Sequence, residues 1–159
     1  MNAASVLVAL ATASTALSST ESARAWSAFN SPQGQQFMRV AAYYREVWSA
    51  VCSDPREEEH PDSPCRKHKV EVLDGVTQQA RTYLKESKVD SVITDLAYIF
   101  IQKDEALHAW LNARAAVLAN PNDVDAMDRR KKAWEQYKAK EALVSSQIKL
   151  VDYWLYRAK

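Results

Sequence analysis

The stretch KVDSVITDLAYIFIQKDEALHAWLNARAAVLA (Lys88–Ala119), then Asn120-Pro121-Asn122-Asp123, then VDAMDRRKKAWEQYKAKEALVSSQIKLVDYWLYRA (Val124–Ala158) decides the fold. Neither arm contains a glycine or an internal proline, and the only breaker is the Asn-Pro-Asn-Asp junction. At ~1.5 Å per residue each arm predicts a helix of roughly 45–55 Å, longer than the usual globular helix. Val89, Val92, Ile93, Leu96, Phe100, Leu107, Leu111 and Leu118 mark the outgoing seam. Met127, Trp134, Tyr137, Val144, Ile148, Val151 and Leu155 mark the return, at spacings of three and four that suit paired helices. Asn122 or Asp123 is the expected N-cap of the return arm.

Working toward the amino terminus, Leu73, Val76, Ala80, Tyr83 and Leu84 predict a helix to about Glu86, and Gly75 weakens its first turn. Val70, Val72 and Leu73 begin either this helix or a short strand. SDPREEEHPDSPCRKH (Ser53–His68) reads as a charged, proline-containing loop. Before it, Phe37, Val40, Ala41, Tyr44, Val47, Trp48 and Val51 follow the i, i+3, i+4, i+7 pattern. Ser31-Pro32-Gln33-Gly34 is the expected turn, and an earlier helix is expected over about Ala3–Phe29. The expectation is one all-α domain over 1–159: N-terminal helices in 1–52, a charged loop in 53–69, and a helical bundle ending in a long antiparallel hairpin in 70–159.

Two glycines and five prolines among 159 residues are too few for an antiparallel β protein. A net charge of +1 gives no global pull toward nucleic acid or membrane, so any nucleic-acid site must be a local patch. Ser5–Leu17 (SVLVALATASTAL) is too short and too polar for a membrane span. It has the length of a signal-peptide core, and Ala23-Arg24-Ala25 has a small-residue cleavage pattern. No Lys or Arg precedes the run, however, which favours an ordinary amphipathic or subunit-contact helix.

No Ser-His-Asp arrangement, phosphate loop, HExxH or Gly-rich fingerprint is present, so neither an enzyme nor a cofactor is expected. His108, between Leu107 and Trp110, reads as a partly exposed packing histidine, and Glu57-Glu58-Glu59 as a solvated cluster. Cys52, His60, Cys65 and His68 could hold zinc, but Cys-x7-His-x4-Cys-x2-His lacks the paired short knuckles of structural zinc sites. Two free thiols, or a Cys52–Cys65 disulfide in an oxidising compartment, stand beside that reading. Arg129-Arg130-Lys131-Lys132 is the densest basic run. Four consecutive helical residues point around the axis, which suits a solvated face. In a polymer, one or two arginines per subunit make a continuous track for phosphates.

Several short words, in order, resemble the coat proteins of tobamovirus-type rod-shaped plant viruses. They are Gly34-Gln35-Gln36-Phe37 with Glu46-Val47-Trp48; Pro61-Asp62-Ser63 with Lys69-Val70-Glu71-Val72-Leu73-Asp74; and Asn120-Pro121 with Arg129-Arg130. The resemblance implies a helical-bundle subunit that stacks around single-stranded RNA in a virion assembled in the host cytoplasm. It implies Arg129 and Arg130 as the phosphate-facing pair, and Glu46 and Asp74 as carboxylates facing each other between subunits. Such a pair repels until a proton or cation is taken up, so assembly would be favoured in mild acid. This chain departs from the family in a longer stretch between Asp74 and Arg129, and in Lys131-Lys132 where the family tends toward acids.

A rival resemblance covers only the end of the chain. Pro121, Asp123, Met127, Trp134, Tyr137, Ser145-Ser146 and Ile148-Lys149 are similar to the hairpin of type III secretion needle subunits. That implies an extracellular filament, a setting that suits a disulfide. Both resemblances imply a homo-oligomeric helical polymer and differ over RNA. A regulatory bundle that binds a protein partner through exposed Trp and Tyr is the third expectation.

Overall fold

The computed structural model describes residues 20–50, 60 and 62–159, and within these the chain is a bundle of helices without a strand. Residues 20–30 are helical (α1); then come α2 (Pro32–Ala50), α3 (Pro64–Glu86), α4 (Val92–Ala119) and α5 (Val124–Arg157). The all-α bundle closing in a long hairpin is thus the architecture of the protein. At ~1.5 Å per residue, α4 and α5 are about 42 and 51 Å long. They form the most extensive helix pair, while α2 packs on α3 and α3 on α4.

Local chemistry sets each helix start. Asp123 caps α5 by accepting from the Ala126 amide at 2.9 Å. Ser91 caps α4 in a reciprocal box: its hydroxyl accepts from Ile93 N at 3.2 Å, and Thr94 Oγ1 accepts from Ser91 N at 3.3 Å. A cap of this kind contributes about 1 kcal/mol. The outgoing arm therefore begins at Val92 and not near Lys88.

Two expected loops are helix. Ser31 Oγ accepts from Gly34 N at 3.0 Å, so Pro32–Gly34 is the first turn of α2 and the expected turn narrows to a bend at Ser31. Ser63 Oγ accepts from Arg66 N at 3.1 Å with Pro64 at the first helical position, so α3 begins five residues before the expected end of the charged loop at Lys69. The same capping removes the strand alternative at Val70. Residues 1–19, 51–59 and 61 lie outside the described residues, and with them Ser5–Leu17, Cys52 and the Glu57–Glu59 cluster.

The core follows the predicted stripes and extends them. Phe37, Ala41 and Tyr44 from α2 meet Leu73, Val76, Ala80 and Tyr83 from α3, and Ile93, Leu96 and Phe100 from α4. Phe37 stacks on Tyr83 at 5.4 Å and meets Phe100 edge-on at 6.1 Å. Such pairs contribute about 0.5–1.5 kcal/mol beyond their buried area. Tyr137, Val144 and Val151, seven residues apart, form the fully buried line of α5. Met127 and Leu118, expected in the seams, are exposed at 40 % and 65 %.

Candidate nucleic-acid interface and its surroundings

Trp110, Arg114, Met127, Asp128, Arg130, Lys131 and Trp134 line a groove of about 470 Å³ between α4 and α5. The two indoles meet at 4.8 Å between ring centroids, and Trp134 also lies 5.6 Å from the Tyr137 ring. Trp110 is buried as the back wall and Trp134 is half-buried at the opening. The Arg114 guanidinium sits 6.0 Å from the Trp110 ring, so three cations from two helices surround an aromatic floor that holds one carboxylate, Asp128.

The predicted arginine pair divides between two settings. Arg130 lines this groove together with Lys131. Arg129 turns toward the start of its own helix, where its Nη2 is 3.7 Å from Asp123 Oδ2. Arg129 and Arg130 point ~100° apart on the helix, and Arg129 is the one aimed back at Asp123. Arg114 and the two tryptophans were not expected in a nucleic-acid site. Their signal lies in α4 facing α5 across the hairpin.

Behind the groove is a buried charge cluster. Arg66 stacks over Trp110 at 5.1 Å and over Tyr137 at 5.7 Å, and its Nη1 donates to the Tyr137 hydroxyl at 3.4 Å. Lys69 lies 4.5 Å from the Trp48 ring, and Lys103 lies 3.7 Å from the same ring. Arg66, Lys69 and Lys103 are all at most 1 % exposed. Glu141 from α5 answers Lys103: its Oε1 is 3.6 Å from Lys103 Nζ and accepts from Trp48 Nε1 at 2.9 Å and from Tyr137 OH at 3.4 Å. Lys138 also donates to Glu141, and Lys103 donates to the Tyr44 hydroxyl.

Burial lowers the Lys103 ammonium to about 7, with Lys69 and Lys138 adding to the effect against the attraction of Glu141. Burial alone would raise the Glu141 carboxyl, yet Lys103 and Lys138 hold it below its ordinary value. Isolated charges at such depth are strongly unfavourable; aromatic faces beside all three cations, and Glu141 beside Lys103, offset that cost. The cluster ties α2, α3, α4 and α5 together. A cleft of about 340 Å³ opens beside it, lined by Tyr44 and Trp48 of α2 and by Glu141, Val144 and Ile148 of α5.

The expected assembly carboxylates occupy different surroundings. Glu46 is exposed on α2. Asp74 on α3 meets two groups of α4 inside the same chain: its Oδ1 is 3.2 Å from His108 Nε2, and the same nitrogen is 3.4 Å from Asp104 Oδ1. Burial pushes the Asp104 carboxyl up to about 6, helped by the hydrogen bond and charge of Asp74 and opposed by His108 and Arg81. His108, expected as a partly exposed packing residue, is half exposed and belongs to this triad. Asp104 escaped sequence reading altogether, because nothing local distinguishes it from a surface acid.

The Cys52, His60, Cys65, His68 set does not stand as a ligand cluster. Cys65 is disulfide-bonded, so its sulfur is no thiolate, and the chain's one other cysteine, Cys52, lies outside the described residues. His68 lies 3.9 Å from Glu71 on α3, and His60 is exposed before the helix. Among the described residues no helix is long and apolar enough to cross a membrane.

Compared with known proteins, the chain matches no family model, no curated protein and no solved structure.

Proposed function

We propose that this chain is a non-enzymatic structural subunit that assembles with copies of itself and carries single-stranded nucleic acid in the α4–α5 groove, as a coat-like protein does in a virion. One observation carries the reading: Arg114, Arg130 and Lys131 surround the Trp110–Trp134 pair. Cations neutralise phosphates without regard to sequence, and a half-open indole offers a face on which a base stacks. Such pairing suits single strands better than duplex, whose bases are already stacked. The supporting feature for assembly lies on α5, where Leu143, Leu150 and Tyr153 are exposed at spacings of seven and three. That is a second apolar line, pointing away from the buried Tyr137–Val144–Val151 seam.

A second reading is favoured by the disulfide at Cys65, since such bonds persist in oxidising compartments. In it, the same hairpin builds an extracellular filament that ignores nucleic acid.

Electron microscopy of the purified chain at acid and mildly alkaline pH, with and without single-stranded RNA, separates the two. Fluorescence anisotropy with a labelled oligonucleotide across a salt series accompanies it. Rods or discs that form with RNA, and affinity that falls steeply with salt, support the coat-like reading. RNA-indifferent filaments support the second. Single particles in every condition, without RNA binding, overturn both and leave a bundle that binds a protein partner.

A further inference from the structure

We propose that Asp74, Asp104 and His108 form a binding site for a zinc-class divalent transition cation, bridging α3 and α4. The three residues each offer one ligand atom, and all these atoms lie within 4.8 Å of one another. Asp104 and His108 are one turn apart on α4, so both project to the same side; Asp74 reaches them from α3. Two rigid, capped helices thus hold the donors, which keeps the set preorganised.

The spacing suits an ion. Zinc binds imidazole and carboxylate at ~2.0–2.2 Å in a tetrahedron, which places neighbouring donor atoms about 3.3 Å apart. His108 Nε2 lies 3.2 Å from Asp74 Oδ1 and 3.4 Å from Asp104 Oδ1.

A second observation points into the same gap. Asp104 Oδ1 is shut off from solvent and has no hydrogen-bond partner. A desolvated carboxylate oxygen beside a second carboxylate is unfavourable until something positive meets it. His108 meets it incompletely, since one Nε2 faces two oxygens. Arg81, the other nearby cation, is engaged with Glu105 at 3.5 Å. A divalent cation would answer both carboxylates at once.

The donor chemistry narrows the class. One imidazole with two carboxylates favours zinc, cobalt or iron over magnesium and calcium, which prefer all-oxygen sets. About half of the Asp74 and His108 side chains is exposed, so the ion would enter from solvent and keep water on its remaining positions. The site is independent of the groove, which lies on the α4–α5 side of α4.

Calorimetric titration of the full chain with Zn²⁺, and visible absorption with Co²⁺, test this. One Zn²⁺ per chain is expected, with the intense d–d bands of low-coordinate cobalt, and Asp104→Asn or His108→Gln should weaken binding by roughly 100-fold. Both variants remove repulsion or an exposed ring, so their helical circular dichroism should match the parent. A His60→Gln/His68→Gln variant should bind as the parent does. Absence of Zn²⁺ binding, binding unchanged in Asp104→Asn and His108→Gln, or binding lost in the His60/His68 variant would each overturn the assignment.

Discussion

The Lys103 ammonium lies 3.6 Å from the Glu141 carboxylate with its own side chain wholly out of solvent, joining the middle of α4 to the middle of α5. Glu141 is also the acceptor shared by Trp48, Tyr137 and Lys138. Removing one partner of such a buried pair leaves an uncompensated charge. Glu141→Gln should therefore destabilise the fold by about 3–5 kcal/mol near pH 6. The loss should shrink near pH 9, where Lys103 can shed its proton. Urea unfolding followed by circular dichroism at the two pH values measures this, and an equal loss at both would refute it. Lys103→Met should be far milder, because Lys138, Trp48 and Tyr137 still satisfy Glu141.

Stability should pass through a trough near pH 6–7. Lys103 is lowered from 10.5 to about 7, so between those values the unfolded chain holds a proton that the folded chain lacks. Stability then rises with pH, by up to ~1.4 kcal/mol per unit for one proton. Asp104 is raised from 3.8 to about 6, so between those values the folded chain holds the extra proton and stability falls as pH rises. Asp95, raised by burial and by Asp90 and Glu21, acts in the same direction on the acid side. Thermal melts from pH 4 to pH 10 should trace both limbs. Lys103→Met should flatten the alkaline limb, and Asp104→Asn should reduce the acid one.

The two glycines should respond oppositely to alanine. A Cβ on Gly34 would stand 1.8 Å from the Ala28 carbonyl oxygen, where the end of α1 crosses the start of α2. The contact is with backbone, so the helices must move apart, and a loss of about 2 kcal/mol or more is expected. A Cβ on Gly75, on the open face of α3, meets nothing within 4 Å. Gly75→Ala should stabilise by about 0.5–1 kcal/mol through helix propensity alone. Chemical unfolding of both variants reads the difference; a stabilising Gly34→Ala would contradict the crossing described.

In the groove, Arg130→Ala and Lys131→Ala should each lower the salt slope of RNA binding by roughly 0.7, the value for one lost phosphate contact on a single strand. Trp134→Ala should weaken binding by about 1–3 kcal/mol while leaving that slope unchanged, because stacking carries no counterion release. Arg129, turned toward Asp123, should matter less than Arg130. Equal effects at the two arginines would count against the groove.

Leu150→Glu should abolish self-assembly without loss of the monomer fold, since Leu150 is 40 % exposed on the outer line of α5. Light scattering and circular dichroism together read the two effects, and assembly undiminished by the charge would remove that line as the subunit contact.

The hairpin was legible because its causes are local: unbroken helix formers, apolar residues at three and four, and Asp123 positioned to cap. The start of α3 was not. Cys65, Lys69, Val72, Leu73 and Val76 continue one helical stripe, but charged residues at Arg66 and Lys69 disguised it as a loop. Lys103 was hidden in the same way on the stripe Phe100, Lys103, Leu107, Trp110, all four of them buried. A lysine on an apolar line reads as an interruption until Trp48, Tyr44 and Glu141 are seen around it. The triad left even less trace, since Asp74 and His108 are 34 positions apart.

Residue order along the chain was therefore enough for the helical class, the long antiparallel arms and their junction, because hydrogen bonds in a helix close over four residues. It was also enough to name the basic run that supplies Arg130 and Lys131. Which cations are buried, which arginine joins Trp110 and Trp134, and which acid meets Asp74 depended on packing between helices. Those contacts join residues dozens of positions apart, and their energies come from desolvation and shared partners that no single stretch of chain contains.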